Sequence, residues 1–381
     1  MVFVITYFSL RLVTRTVLPH VQTVEPRETF IATSSLDAKI YFNNEVGETG
    51  SIDLLKHQID AAEHTIEIAM FSFGSEVLKD ALYAADKRGV QVTLLLNTSK
   101  APQHDKLFSD LPRTIRRIDV GTFDAKNSMN TVYMHHKFMI VDRGFENEIL
   151  TTGSLNFTTW GEKYNQSFML VSKDRHLVQI FGEEFDRLSH KVFSMKKLSS
   201  TAYSPWVAHL EYPDSFMDVW FSPGYGKLSL KYEILRQIES AEKSLDLMMW
   251  DFTDMQIARA LLAKARAGVP VRLIAEVKTS SLEDSVVLYL QEVQKKESLK
   301  NLEIILDEKL ATQVKEWIPD DFSPFIHHHS LIVDKKIIVM GSGNWSLWGF
   351  YRNDENAFVT NSRYIVQESS KTFEYFYKLL K

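Results

Sequence analysis

Two tandem α/β domains, each a mixed, mostly parallel sheet flanked by helices, are what this 381-residue sequence predicts. Three observations carry the prediction. The length suits two domains, the chain is written twice, and each copy alternates short apolar runs with amphipathic segments. Residues 62–71 (AEHTIEIAMF) match 241–250 (AEKSLDLMMW), and the same shift of 179 carries Tyr41-Phe42 onto Trp220-Phe221. Further on, 153–161 (GSLNFTTWG) match 341–349 (GSGNWSLWG) at a shift of 188. So long a period excludes a solenoid and indicates duplication of a whole domain.

The elements follow in order. Ile52, Leu55, Ile59 and Ala62 recur at helical spacing, which predicts a helix over 52–62. Residues 65–73 read as a buried strand, 77–87 as a helix closed by Gly89, and 90–96 as a second strand. The second copy repeats this order over 234–275, and 174–197 and 364–380 read as the helices that close the two copies. A Ser-rich stretch with Pro205 and Pro213 marks the linker. The predicted organisation is an N-terminal extension over 1–38, domains over 39–198 and 217–381, and a linker over 199–216.

The apolar run Val2–Leu10 is far shorter than the roughly 20 residues of a membrane-spanning helix. It is also a poor secretory leader, with no basic residue before it and no clean cleavage site after it. It is read either as a disordered or strand-like extension or as a truncated export signal or interfacial anchor, so a membrane-associated or exported protein is one expectation. With 44 Lys plus Arg against 49 Asp plus Glu, the net charge of -5 excludes a basic nucleic-acid coat but allows a local basic groove. The chain has no cysteine, which excludes disulfides, thiolate metal sites and cysteine nucleophiles.

The candidate chemistry repeats with the fold. The first copy has His135, His136 and Lys137, then Asp142, followed by Gly153, Ser154 and Asn156. The second has His327, His328 and His329, then Asp334, followed by Gly341, Ser342 and Asn344. The intervening residues are apolar, so each motif rides a buried strand, on which residues two apart share a face. His135 and Lys137 then point together, as do His327 and His329, while Asp142 and Asp334 point the other way as partners of a buried polar group. Ser154, Asn156, Ser342 and Asn344 supply neutral donors for phosphate oxygens. In the triple histidine only two side chains can converge, and no neighbouring carboxylate completes a ligand set, so no metal and no cofactor are expected.

This pair of motifs resembles the phospholipase D superfamily, whose members carry two copies of His-x-Lys-x4-Asp with a following Gly-Ser-x-Asn; the resemblance covers about 340 residues. It implies two phospholipase D-like domains related by a pseudo-two-fold axis, with one shared active site and therefore a complete monomer. It implies catalytic roles for His135, Lys137, Asp142, His327, His329 and Asp334, with His135 as the nucleophile forming a phosphohistidine and His327 as the general acid. Two departures stand out: His329 replaces the second lysine, and the orienting carboxylate of the family is present as Glu355 but is Ser167 in the first copy. The implied activity is phosphodiester hydrolysis or phosphatidyl transfer on a phospholipid, with a membrane surface as partner. Nucleic acid cleavage and a weakened, phosphate-binding site are the alternatives.

Overall fold

The computed structural model describes residues 27–43, 50–199, 207–313 and 324–381. The apolar run at residues 2–10 lies outside the described residues. Each copy builds one large sheet. In the first, the strand order is Ala38–Phe42, Phe168–Ser172, Ile149–Gly153, Lys137–Val141, Thr65–Met70, Gln91–Asn97, Arg116–Thr122 and Val132–Tyr133. The second repeats the order from Phe216–Phe221 through Asn356–Thr360, Ile337–Gly341, His329–Val333, Leu245–Met249 and Val271–Ala275 to Leu302–Leu306.

These sheets are mixed, as expected, but they are not mostly parallel. In each repeat only Thr65–Met70, Gln91–Asn97 and Arg116–Thr122, or their counterparts, run parallel, joined by helical crossovers. The motif strand, the hairpin strand after it and the returning strand form an antiparallel meander. The motif, hairpin and returning strands, and Thr65–Met70 and Leu245–Met249 beside them, are largely buried, so their apolar runs conceal strand direction.

Two stretches expected to lie outside the domains also carry strands. Arg27–Ile31, within the predicted extension, pairs in parallel with Val207–Glu211, within the predicted linker, and both belong to the second sheet. The closing helix of the first copy is shorter than expected, Arg175–Ser189, capped by the Asp174 carboxylate on two amides. Lys191 and Ser194 follow with positive φ, and a last turn spans Lys196–Ser199. The helix Arg363–Leu380 closes the second copy.

Strand parity decides where each apolar residue goes. Met139 and Val141 pack under the outer helices of the first copy, whereas Phe138 and Ile140 enter a core shared by both sheets. Phe181 and Phe185 of one closing helix and Phe373 and Phe376 of the other join that shared core. A joint apolar core of this size makes the two repeats one rigid unit rather than two tethered domains.

Each motif strand is anchored at its far end by its aspartate. The Asp142 carboxylate accepts hydrogen bonds from the amides of Glu63, His64 and Thr65, the closest at 2.7 Å, and Asp334 does the same for Glu242, Lys243 and Ser244. Both residues have positive φ, 52° and 54°, a conformation aspartate tolerates better than most residues. Their placement in the catalytic set is therefore corrected: they are corner locks, and their partners are main-chain amides. Gly153 and Gly341 lie against the returning strand, where an added Cβ would sit 2.1 Å from the Phe168 carbonyl oxygen and 2.3 Å from that of Asn356.

Asp142→Ala and Asp334→Ala should each lower unfolding free energy by about 2–4 kcal/mol, because three amides lose a charged acceptor. Chemical denaturation measures this. The folded fraction should keep its turnover within a few-fold, and loss of activity without loss of stability would return the aspartates to the reacting groups.

Candidate active site

The halves meet at the residues preceding their motif histidines. Asn165–Gln166 pairs in parallel with Phe325–Ile326, and in the mirror position Met134 bridges Asp354. As a result the His135 amide donates to the Asp354 carbonyl at 2.9 Å, and the His327 amide donates to the Gln166 carbonyl at 2.8 Å. Asp354 and Gln166 are equivalent at the repeat shift of 188, so the two contacts are reciprocal. This brings four buried side chains, His135, Lys137, His327 and His329, into one neighbourhood.

On the first side, His135 Nδ1 lies 2.8 Å from Glu355 Oε2. The carboxylate therefore fixes the tautomer that carries its proton on Nδ1, leaving the Nε2 lone pair free to act. Lys137 Nζ sits 3.1 Å from that Nε2 and donates to the His135 carbonyl at 2.8 Å. Ser342 donates its hydroxyl to Glu355 at 2.7 Å. The Phe71 ring meets the His135 ring edge-on at 4.5 Å, and the ammonium groups of Lys137 and Lys100 lie over it at 5.5 and 5.3 Å. Burial pulls the Lys137 ammonium down to about 7, against the opposing pull of Glu355. Burial also lowers His135, partly offset by Glu355. The Glu355 carboxyl is held below its usual range by His135, Lys137 and Ser342, despite burial.

The second side is different. His327 Nδ1 meets the Ser167 hydroxyl, at 3.4 Å, so Ser167 occupies the place equivalent to Glu355. Neither nitrogen of His329 has a hydrogen-bond partner among the described residues. Trp250 packs edge-on against both rings, at 5.4 and 6.5 Å. Burial, together with Lys137 and His135, holds His327 well below the ordinary histidine range, and His329 is held down in the same way. Both shifts favour the uncharged ring.

Behind the reacting groups the halves differ again. His136 bonds Glu184 at 2.9 Å and Asn356 at 3.0 Å; Glu184 is paired with Arg187 and Lys197, and Lys197 reaches Asp354 at 2.6 Å. His328 instead lies between the rings of Phe42 and Phe168, each 5.9 Å away. The middle histidines therefore support the site and do not face it.

The serines of Gly-Ser-x-Asn need a correction. Ser154 and Ser342 are fully buried and accept hydrogen bonds from the amides of Phe168 and Asn356. They pin the returning strand, and Ser342 gives its hydroxyl proton to Glu355 rather than to a phosphate. The asparagines remain at the site: Asn156 Oδ1 has no partner among the described residues, and Asn344 donates to Asp251 at 3.0 Å. Among the described residues no three His, Asp or Glu side chains are placed to hold a metal ion.

Four contributors escaped the sequence reading: Phe71, Lys100, Trp250 and Asp251. The available signal was position, since Phe71 and Trp250 end the longest matched block at the carboxyl ends of strands with parallel neighbours, where ligands gather in α/β sheets. Glu355→Gln should move the titration of His135 to lower pH, because the carboxylate is what favours the imidazolium there. An NMR titration of the ring carbons measures it, and an unmoved midpoint would mean the pair is not formed in solution.

A family model described as cardiolipin synthase, PLD-like domain matches residues 55–189 and again 234–377, well over half of the chain. The mitochondrial cardiolipin hydrolase of Canis lupus familiaris is 28% identical over 164 residues, 42% of this chain and 60% of that protein. The phospholipase D of Rickettsia felis is 30% identical over 132 residues, 35% of this chain and 60% of that protein. The chain thus spans about six-tenths of the length of these relatives. The crystal structure of a phosphatidylserine synthase from Haemophilus influenzae superposes with a TM-score of 0.66 at 12% identity, covering 92% of this chain and 88% of that one, a likeness of fold.

Proposed function

The chain belongs to the phospholipase D superfamily, and from that premise we propose that it is a phosphodiesterase that cleaves the headgroup ester of a phospholipid through a phosphohistidine on His135. The observation that carries this reading is the buried Glu355–His135 pair, which directs a neutral Nε2 lone pair toward the shared site. Relatives named cardiolipin hydrolase and phospholipase D favour a phospholipid over nucleic acid, and the net charge of -5 points the same way. Both half-sites are on one chain, so a monomer at a membrane surface is sufficient.

The steps are as follows. A substrate phosphate takes the Lys137 ammonium from His135, freeing Nε2. The Nε2 lone pair attacks phosphorus, and the bond from phosphorus to the headgroup oxygen breaks on the opposite side. His327 gives its proton to that oxygen, so the headgroup leaves as a neutral alcohol. The arriving phosphate supplies a negative charge that favours this proton on His327, against the burial that disfavours it. Neutral His327 then takes a proton from water, the oxygen attacks phosphorus, and the phosphorus–nitrogen bond breaks. The products are phosphatidic acid and regenerated His135. A second alcohol in place of water gives phosphatidyl transfer. Lys137 and the two asparagines stabilise the equatorial oxygens of the transition state.

The test is incubation of the protein, beside a His135→Asn variant, with phospholipid vesicles and with single- and double-stranded DNA. Phosphatidic acid formed by the parent and lost in the variant is expected; DNA cleavage with lipid untouched would overturn the lipid reading. Phosphate trapped on His327 and absent from His135 would reverse the nucleophile.

The pH dependence has a definite sign. Lys137 is protonated below about 7 and loses its proton above it, so kcat/KM, which reports the free protein, should fall as pH rises through about 7. A profile flat from pH 6 to 9 would show that the Lys137 charge does not assist.

A further inference from the structure

Around the shared site the repeat is symmetric in backbone and asymmetric in charge. At the shift of 179, Ser72 corresponds to Asp251, Asn97 to Glu276 and Lys100 to Thr279. At the motif shift of 192, Lys137 corresponds to His329. All four differences run in one sense: the second copy has either lost a cation or gained a carboxylate. The aromatic positions change as well, with Phe71 becoming Trp250 and Tyr133 becoming Phe325.

Resting on the reaction proposed above, we propose that the His327 side is a headgroup subsite for an alcohol bearing a cationic nitrogen, held by Trp250 and Phe325 with Asp251. In-line displacement places the leaving alcohol opposite His135, and therefore beside its proton donor His327. The rings nearest His327 are those of Trp250, at 5.4 Å, and Phe325, at 5.6 Å, and these two stack on each other at 6.1 Å. Both rings are half-buried, and an aromatic ring attracts an ammonium group, quaternary ones included.

The carboxylates complete the preference. Asp251 directly follows Trp250 and is oriented by Asn344. Its carboxyl is pushed up to about 6 by burial and by the nearby charges of Asp284 and Glu276, so a cation there would relieve both the desolvation and the repulsion. Glu276 is already committed to capping the amides of Lys278 and Thr279, which leaves Asp251 for a ligand. His329 supplies an independent sign. It is 2% exposed, neither ring nitrogen has a partner among the described residues, and its ring lies against Trp250 and His327. A lysine at that position would repel an ammonium group, whereas an uncharged histidine leaves the wall free for one and still offers a polar contact to the ester oxygen.

Calorimetric binding of phosphocholine and of glycerol phosphate to the parent protein tests the subsite without any turnover. Phosphocholine should bind about tenfold more tightly. Asp251→Asn, which keeps an acceptor for Asn344, and Trp250→Leu, which keeps the apolar bulk, should each remove most of that difference, and Trp250→Phe should retain it. Equal binding of the two phosphates, or variants that weaken both alike, would overturn the proposal. In parallel, short-chain phosphatidylcholine and phosphatidylglycerol kept monomeric should be cleaved with kcat/KM in the same order. Cleavage that favours the glycerol ester would overturn the subsite while leaving the reaction standing. Absence of cleavage of either lipid, with the phosphocholine preference intact, would overturn the reaction and leave the subsite standing.

Discussion

The two halves are joined at their chemistry by a reciprocal pair of main-chain hydrogen bonds, from the His135 amide to the Asp354 carbonyl and from the His327 amide to the Gln166 carbonyl. The next residue along each returning strand is Glu355 or Ser167, so the same two bonds deliver a carboxylate to one imidazole and a hydroxyl to the other. The Nδ1 partner of each histidine comes from the other repeat. The shared apolar core holds the two sheets in the only relation that permits this exchange, and the Asp142 and Asp334 corners keep each motif strand in register with it.

The site then places charge where water is scarce. Burying Lys137 beside His135 costs stability unless a negative group compensates, and Glu355 supplies it from the opposite half. Behind His135 a second buried network, from His136 through Glu184 to Lys197 and Asp354, ties the end of the first copy to the strand that carries Glu355. Behind His327, His328 has no hydrogen-bond partner among the described residues and is stacked against two phenylalanines. One half is organised by ion pairs and the other by aromatic packing. That division gives the pocket a cationic side for a phosphate and an aromatic, acidic side for the group attached to it.

The sequence alone determined the duplication, the position of both motifs, and which of their residues share a face, because strand periodicity is local and survives in the pattern of apolar residues. It also located Ser167 as the counterpart of Glu355 by counting. It could not show strand direction, since strands buried on both faces read alike whichever way they run, and it misjudged the serines, whose hydroxyls are taken by the returning strands. The crossing of Glu355 to His135 and of Ser167 to His327, over 220 and 160 residues of chain, was decided only by tertiary structure. Side-chain parity is fixed by bonds between neighbours, whereas the meeting of the two halves is fixed by a core to which both sheets and both closing helices contribute.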